Sequence, residues 1–479
     1  MNIINSIRPV EVKIIPGSVA VVQDKKETTY IELYSLAGKR AHHLQQKGID
    51  EDSIVTLLFN NSLEFIVTIL ALWEIGAIPV PLNSRLLERD LNEQINFLNS
   101  KITIKSKEFE NLSTQNESIV IPLADSSGSG QAKTTKFETD KTALILFTSG
   151  TSGKPKAVML SFENLIQSAL TGNKVLNQTD RDRWLASLPF YHIGGFSIII
   201  RAIMFGTSII IPESLSTDDL AASIKKHHPT LISVVSNQLK KFIDMSFSPP
   251  EELRMVLLGG GFSDPAVVLE AIDQGWKISK VYGSTETSSF VSIMNTEEVK
   301  RKPGASGKAI LPNQIFILSD NRELSSGKSG EVIVKSPAVM KGYYESENGI
   351  RIQQKNDLFQ TGDTGYLDEE GFLYIEARRN DLIVSGGENI NPQEVENIIL
   401  THSDIKEVCV VGIEDETWGQ IVCAAVVTKE NVKITENKMS EYLKNKLPAY
   451  KIPKRMIFVN GLPKSMLGKI INEEVRKLF

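Results

Sequence analysis

Cysteine is scarce. The 479 residues hold two, Cys409 and Cys423, and each sits in an apolar, strand-like run. That placement argues against a disulfide framework or a zinc site and leaves both thiols as small core residues. An excess of either charge is also lacking: 53 Lys and Arg against 58 Asp and Glu leave a net charge of −5. Nothing marks a nucleic-acid surface, so anionic substrates would have to be met by local cations. No apolar run is long enough to cross a bilayer. The most apolar window, 65–80, is broken by Glu74, Gly76 and Pro79, short of the roughly 20 residues a span needs. Residues 1–10 lack the apolar core of a signal peptide. A cytosolic chain without membrane insertion is expected. Internal repeats are absent too.

What is present is an ordinary globular composition, 41% hydrophobic and 23% charged. At about 150 residues per domain, this length predicts two to four domains. Thr29-Tyr30-Ile31-Glu32 has the spacing of a capping box, and Leu33, Leu36, Ala37, Ala41 and Leu44 follow at helical spacing. A strand at 53–59, an apolar helix at 62–75 stopped by Gly76, and a strand at 77–82 point to a parallel sheet with helices on its faces. Residues 105–140 read as loop or short strands. A helix is expected at 162–176, with buried strands at 184–188, 231–235 and 255–258. Short strands with frequent glycines over 303–375 suggest a β-rich subdomain. Composition shifts at 377–381, and the last hundred residues are enough for a small domain with helices at 392–400 and 439–446 and strands at 408–411, 422–427 and 455–459.

One loop stands out. The apolar run 143–147 leads into Thr148-Ser149-Gly150-Thr151-Ser152-Gly153-Lys154-Pro155-Lys156, and a second apolar run follows. Glycines let backbone N–H groups turn toward an anion, while hydroxyls and lysines add donors and charge. The loop reads as a phosphate cradle, although its spacing is not that of a P-loop. Alone, it also fits a polar hairpin turn. Four further loops carry polar groups: 189–196 with His192, 259–261 with three glycines, 281–289 with Tyr282, Thr285 and Glu286, and 361–366 with Asp363. Lys469 follows Gly468 near the end. Taken singly, each has a structural reading: a turn aromatic, a helix cap, a turn Asp, a core histidine, a solvated lysine.

In this order, over essentially the whole chain, these segments resemble the adenylate-forming superfamily. That superfamily includes acyl-CoA ligases, firefly luciferase and the adenylation domains of peptide synthetases. The resemblance implies an α/β fold: a large N-terminal domain of layered α/β subdomains plus a β-rich subdomain (1–379), and a small mobile α+β domain (380–479). It implies that Thr148, Ser149, Thr151, Ser152, Gly153 and Lys156 hold the β- and γ-phosphates of ATP. Gly260 and Gly261 would border adenine and acyl group, with Tyr282 stacked on the base. Thr285 would contact the α-phosphate, Glu286 would bind Mg²⁺, and Asp363 and Arg378 would hold the ribose. Lys469 would reach the acyl carboxylate and the α-phosphate. Rotation of the small domain would exchange Lys469 for the segment 385–389, so that Gly386 and Gly387 line the path of the coenzyme A thiol. The family hinge falls on Asn380, and Ala377 replaces a usual glycine.

Segments 184–195, 232–236, 257–261, 282–289 and 379–390 are similar to the branch that joins 2-succinylbenzoate to coenzyme A in menaquinone biosynthesis. That acid carries a second, aromatic carboxylate, and the resemblance makes His192, Ser236, Gly261, Thr287 and Ser288 the candidates around it. A ligase for another aryl or medium-chain acid is the alternative. An adenylation domain loading a carrier and a non-catalytic nucleotide-binding relative are further readings; the absence of a carrier domain after Lys469 favours a free ligase. Lys451, Lys454 and Arg455 could touch the coenzyme A phosphates, but a solvated basic turn is the better reading. The sequence leaves the oligomeric state open, a homo-oligomer included.

Overall fold

Local caps set where the helices begin. In the computed structural model, which describes residues 15–121, 136–148, 155–261, 263–345, 349–351, 358–377, 382–429, 434–463 and 470–479, the backbone N–H of Thr29 donates to Glu32 Oε2 at 2.8 Å. The Glu32 N–H donates back to Thr29 Oγ1 at 3.4 Å. This capping box starts the helix Tyr30–Gln46, which buries Leu33, Ala37, Ala41 and Leu44. Ser62 caps the helix Leu63–Ile75, and Gly76, at φ 79°, ends it. That helix is apolar all round because it is buried all round. Its flanking strands, Ile54–Leu58 and Ile78–Pro81, pair in parallel as expected. Ile102–Lys105 and Glu117–Val120 complete a four-stranded parallel sheet.

The central sheet has nine strands. Its inner six, all parallel, run Ile278–Ser284, Met255–Leu258, Leu231–Val234, Arg183–Leu185, Ser208–Ile211 and Val19–Gln23. In such sheets ligands bind beyond the carboxyl ends of the strands. The loops 186–192, 235–236, 259–261 and 285–288 all leave from those ends. At the opposite ends, Asp182 ties three strands together. It accepts from Arg254 Nε at 2.8 Å and Nη2 at 2.9 Å, from Thr230 Oγ1 at 2.6 Å and from the Thr179 N–H at 2.9 Å. Burial pushes this carboxyl up, but the Arg254, Thr230 and Thr179 hydrogen bonds outweigh it and hold the group below its ordinary value. Its contribution is therefore present above the ordinary aspartate range and lost as pH falls through the depressed value. Asp182→Asn is expected to lower unfolding free energy at pH 7 by about 2 kcal/mol, read as a lower urea midpoint. The gap to the parent should narrow below about pH 4.

Two expected loops are regular structure instead. Gly194 and Gly195 lie inside the helix Ile193–Phe205. Gly195 is there for contact: a Cβ would come within 2.2 Å of the Pro189 carbonyl oxygen. Thr361–Tyr366 lies inside the ten-residue strand Leu358–Leu367, where a Cβ on Gly365 would meet the Tyr374 carbonyl oxygen at 2.2 Å. That strand belongs to a five-stranded antiparallel sheet with Gln314–Ser319, Arg322–Glu323, Gly330–Lys335 and Leu373–Ala377, the expected β-rich subdomain.

Residues 383–479 build their own sheet from Glu388–Ile390, Ile383–Ser385, Gly419–Thr428, Ile405–Asp415 and Arg455–Phe458. The helices Pro392–Leu400 and Glu436–Lys444 contribute Val395, Ile399, Met439 and Leu443 to one apolar cluster. Cys409 and Cys423, buried thiols in no disulfide, join Val475 in another. Among the described residues, no apolar cluster combines side chains before residue 376 with side chains after 382. No helix among them is long and apolar enough to cross a membrane.

Candidate active site

The strand Ile278–Ser284 and the β-rich sheet bring two expected residues together. The Tyr282 hydroxyl donates to Asp363 Oδ2 at 2.7 Å, and the Asp363 N–H donates to Thr361 Oγ1 at 3.0 Å. An aromatic face and a carboxylate thus stand side by side, the pair needed for a base and a ribose. Glycine is required next door. A Cβ on Gly283 would lie 2.1 Å from the Ser289 carbonyl oxygen, so only glycine lets the strand fold this closely onto the loop that follows.

That loop turns through the short 3₁₀ segment Thr285–Thr287. Glu286 is fixed at both ends: its carbonyl accepts from the Met340 N–H at 2.8 Å, and its Oε1 accepts from the Tyr343 hydroxyl at 3.0 Å. Tyr343 sits on the strand Gly342–Glu345, which pairs with Lys156–Ser161. The Lys156 ammonium lies 4.9 Å from the Tyr343 ring centroid. Lys156 is in turn opposite Thr148 in the antiparallel hairpin Thr142–Thr148/Lys156–Ser161. The hairpin geometry and the phosphate-cradle reading are therefore compatible. Ser149, Thr151, Ser152 and Gly153 lie outside the described residues, as do Arg378, Asn380 and Lys469. Among the described residues no group of three carboxylates, imidazoles or thiols could hold a metal. A single carboxylate suits Mg²⁺ that takes its other ligands from phosphates and water.

Two expectations for the acid pocket are corrected. Thr287 and Ser288 are buried, and their hydroxyl protons go to backbone carbonyls. Thr287 Oγ1 donates to Ser289 O at 2.8 Å, and Ser288 Oγ donates to Ala338 O at 2.7 Å. They hold the loop in shape and are not free donors for a substrate. Ser236 Oγ lies 2.7 Å from Ser263 Oγ. His192 precedes the helix Ile193–Phe205 and directs Nε2 to Glu388 Oε2 at 3.3 Å.

The polar group that sequence reasoning missed in this region is Arg201. It is 2% exposed, on the helix that starts beside His192. Its Nη1 donates to Ser197 Oγ at 2.8 Å and its Nη2 to Ser289 Oγ at 3.5 Å. The guanidinium carbon lies 4.7 Å from the Phe290 centroid. Its Nε has no hydrogen-bond partner. Among the described residues no carboxylate pairs with it, and burial pushes its pKa down to about 9. An uncompensated buried cation is unfavourable in the free protein and becomes favourable when an anion arrives. The signal was available: one charge in the otherwise apolar run Ile198-Ile199-Ile200-Arg201-Ala202-Ile203-Met204-Phe205.

The second domain closes the crevice. The hairpin Ile383–Ser385/Glu388–Ile390 turns through Gly386 and Gly387 at φ 58° and 85°, a conformation that favours glycine. Gly386 packs on Trp418 and Gly387 faces Val235, while Val384 faces Gly261 across the interface. Asn237 Oδ1 is buried there without a partner. The basic-turn expectation splits: Lys451 is buried in an ion pair with Glu394 at 2.5 Å, whereas Lys454 lies 5.5 Å from the Trp418 ring centroid.

Comparison with known proteins agrees with this geometry. A sequence profile of AMP-binding enzymes matches residues 11–344, and the profile of their C-terminal domain matches 394–469. A 2-succinylbenzoate–CoA ligase of Bacillus mycoides is 34% identical over 468 residues, 97% of this chain and 96% of that one. The o-succinylbenzoate CoA synthetase of Bacillus subtilis is 30% identical. A double mutant of it, bound with the product analogue OSB-NCoA, superposes with a TM-score of 0.89 over 96% of both chains. The same enzyme with the acyl-adenylate OSB-AMP gives 0.74, over 99% of this chain and 98% of that one. With ATP and magnesium it gives 0.73, over 99% of both.

Proposed function

This chain belongs to the AMP-binding enzyme family, and on that premise we propose that it is an acid–thiol ligase joining 2-succinylbenzoate to coenzyme A. The acid is first activated with ATP as an acyl-adenylate, and the thioester serves menaquinone biosynthesis. The observation that carries the choice of acid is Arg201. A ligase for a monocarboxylic acid has no use for a second, buried, unpaired cation beyond the Thr285–Ser289 loop. A keto-dicarboxylate does, because one carboxylate reacts and the other needs a counter-ion. Resemblance to the Bacillus ligases over nearly the whole chain supports the same acid.

Chemistry sets the order of events. A carboxylate does not react with a thiol unaided, because the leaving group would be oxide or hydroxide. In the first half-reaction the aliphatic carboxylate attacks the α-phosphorus, and pyrophosphate leaves. Thr148, Ser149, Thr151, Ser152, Gly153 and Lys156 hold that leaving group. Tyr282, with Gly260 and Gly261, positions the adenosine, and Asp363 with Arg378 takes the ribose hydroxyls. Thr285 and Lys469 screen the charge where two anions meet. Mg²⁺, when bound at Glu286, supplies further positive charge to the phosphates. In the second half-reaction the thiol attacks the acyl carbonyl, loses its proton, and AMP departs.

Residues 1–379 act as the catalytic domain and 380–479 as the part that changes orientation. The separate apolar cores on either side of 376–382 support that division. So does the higher TM-score with the product-analogue complex than with the adenylate complex of one enzyme. In the present arrangement Gly386 and Gly387 meet the crevice, which suits the thiol step.

A panel of acids with ATP, Mg²⁺ and coenzyme A, followed by pyrophosphate release and thioester formation, tests the proposal. The expected result is a clear preference for 2-succinylbenzoate over benzoate, 4-oxo-4-phenylbutanoate and octanoate. Equal use of a monocarboxylic acid would overturn the substrate assignment. Nucleotide binding without turnover would overturn the activity.

A further inference from the structure

Arg201 is not the only donor in its surroundings that lacks an acceptor. Its Nε and the indole Nε1 of Trp184 are both buried without a hydrogen-bond partner among the described residues. The two side chains touch: the guanidinium carbon lies 5.6 Å from the Trp184 ring centroid. Trp184 is 0% exposed. Backbone shape keeps the other side of the guanidinium uncrowded. Gly172, on the helix Phe162–Leu176, faces it, and a Cβ there would come 3.0 Å from Phe290 Cζ and 3.6 Å from Arg201 Nη2. Ser289, which accepts from Nη2 at 3.5 Å, has φ 110°, a conformation unfavourable for a residue with a Cβ.

A guanidinium in this setting has lost its water and gained no carboxylate. Desolvation lowers its pKa to about 9 with no neighbouring charge to offset it. The aromatic faces of Trp184 and Phe290 recover part of the loss, but they offer no acceptor to the two N–H groups. A desolvated charge is stabilised most by an opposite charge at contact distance. Donors without acceptors also call for a ligand that only accepts. Water has two protons of its own to place, so it suits a cluster of donors less well than an anion does.

We propose that Arg201, Trp184 and Ser289 form a halide-class anion site, in which a chloride or bromide ion neutralises the guanidinium of the free protein and is displaced by the second carboxylate of the acid. The displacement rests on the substrate reading given above; the anion site itself does not. A halide suits the site better than phosphate or sulfate, because it carries one charge and gives up its water at lower cost. The consequence is an effect of opposite sign on two acids. Halide competes with 2-succinylbenzoate, whose aromatic carboxylate needs the same cation. It assists 4-oxo-4-phenylbutanoate, which lacks that carboxylate and leaves the ion in place to supply the missing charge. A general salt effect moves both acids the same way.

Fluorescence tests the site without any acid. Bromide quenches indole on contact. Trp184 is fully buried, so ions in solution do not reach it, whereas one held at Arg201 lies beside its ring. Titration with potassium bromide, with ionic strength held by potassium gluconate, is expected to show a saturable quenching component in the parent. Arg201→Met and Trp184→Phe should each lose that component and keep the unsaturable quenching of Trp418, which is 37% exposed. Bromide should also raise the urea midpoint of the parent relative to that of Arg201→Met. With about 0.2 M bromide, KM for 2-succinylbenzoate should rise about 5-fold at constant kcat, while kcat/KM for 4-oxo-4-phenylbutanoate rises about 3-fold. Quenching with no saturable component, or one that survives in Arg201→Met, would overturn the anion site. So would rates for the two acids that shift in the same direction, a comparison made on the parent alone. Saturable quenching that 2-succinylbenzoate fails to reverse would instead leave the site standing and overturn the substrate reading.

Discussion

Lys469→Ala is expected to slow acyl-adenylate formation by about 10³-fold and to leave transfer from a supplied adenylate to coenzyme A largely intact. The size follows from the charge problem of the first step. An anionic carboxylate approaches the phosphorus of an anionic triphosphate, and more negative charge gathers on the departing pyrophosphate. In a water-poor crevice, one lost cationic donor costs about 10²- to 10³-fold. The second step has no such demand. The acyl group is already activated, and the nucleophile, with one charge at most, attacks a neutral carbonyl carbon and not an anionic phosphate; the electron pair of the broken C–O bond leaves on the AMP phosphate. On the proposed two-orientation reading, Lys469 is needed in the first step and Gly386–Gly387 in the second. Single-turnover kinetics of the two half-reactions separate the effects. Equal loss in both would mean that Lys469 serves general stability or nucleotide binding, and the two-orientation mechanism would fall.

Local chemistry was legible where it closes within a few residues. The capping box at Thr29 and Glu32, the Gly76 stop and the helix Phe162–Leu176 follow from short-range rules, and the structure has them where the spacing puts them. Glycines misled where their reason is tertiary. Gly195 and Gly365 looked like loop residues, but each is a smooth part of a helix or strand that another backbone approaches closely. Hydroxyls misled for a related reason. Val281–Ser289 reads as a field of donors, yet the Thr287 and Ser288 protons are spent on the loop itself. The residue most informative about substrate, Arg201, belongs to no motif. Its meaning depends on what the fold places around it, two aromatic rings and, among the described residues, no carboxylate.

Arg201 yields the second large effect, and its sign differs between two measurements. Arg201→Met keeps an unbranched side chain of similar length and removes the charge. Truncating one partner of a desolvated, hydrogen-bonded charge pair costs roughly 2–5 kcal/mol, so kcat/KM for 2-succinylbenzoate should fall by about 10²- to 10³-fold. For 4-oxo-4-phenylbutanoate, which is the same acid without the aromatic carboxylate, kcat/KM should hardly change, and the parent's preference between the two should collapse. Stability should move the other way. In the free protein the guanidinium is buried, lacks an ion-pair partner among the described residues, and leaves Nε unbonded. Replacing such a charge by an apolar side chain of similar volume is neutral or stabilising by about 1 kcal/mol or more. A higher urea midpoint together with lost discrimination is a combination that a merely structural arginine does not produce. If both acids lose rate equally, or if the variant unfolds more easily, Arg201 is a packing residue and the second carboxylate is held elsewhere.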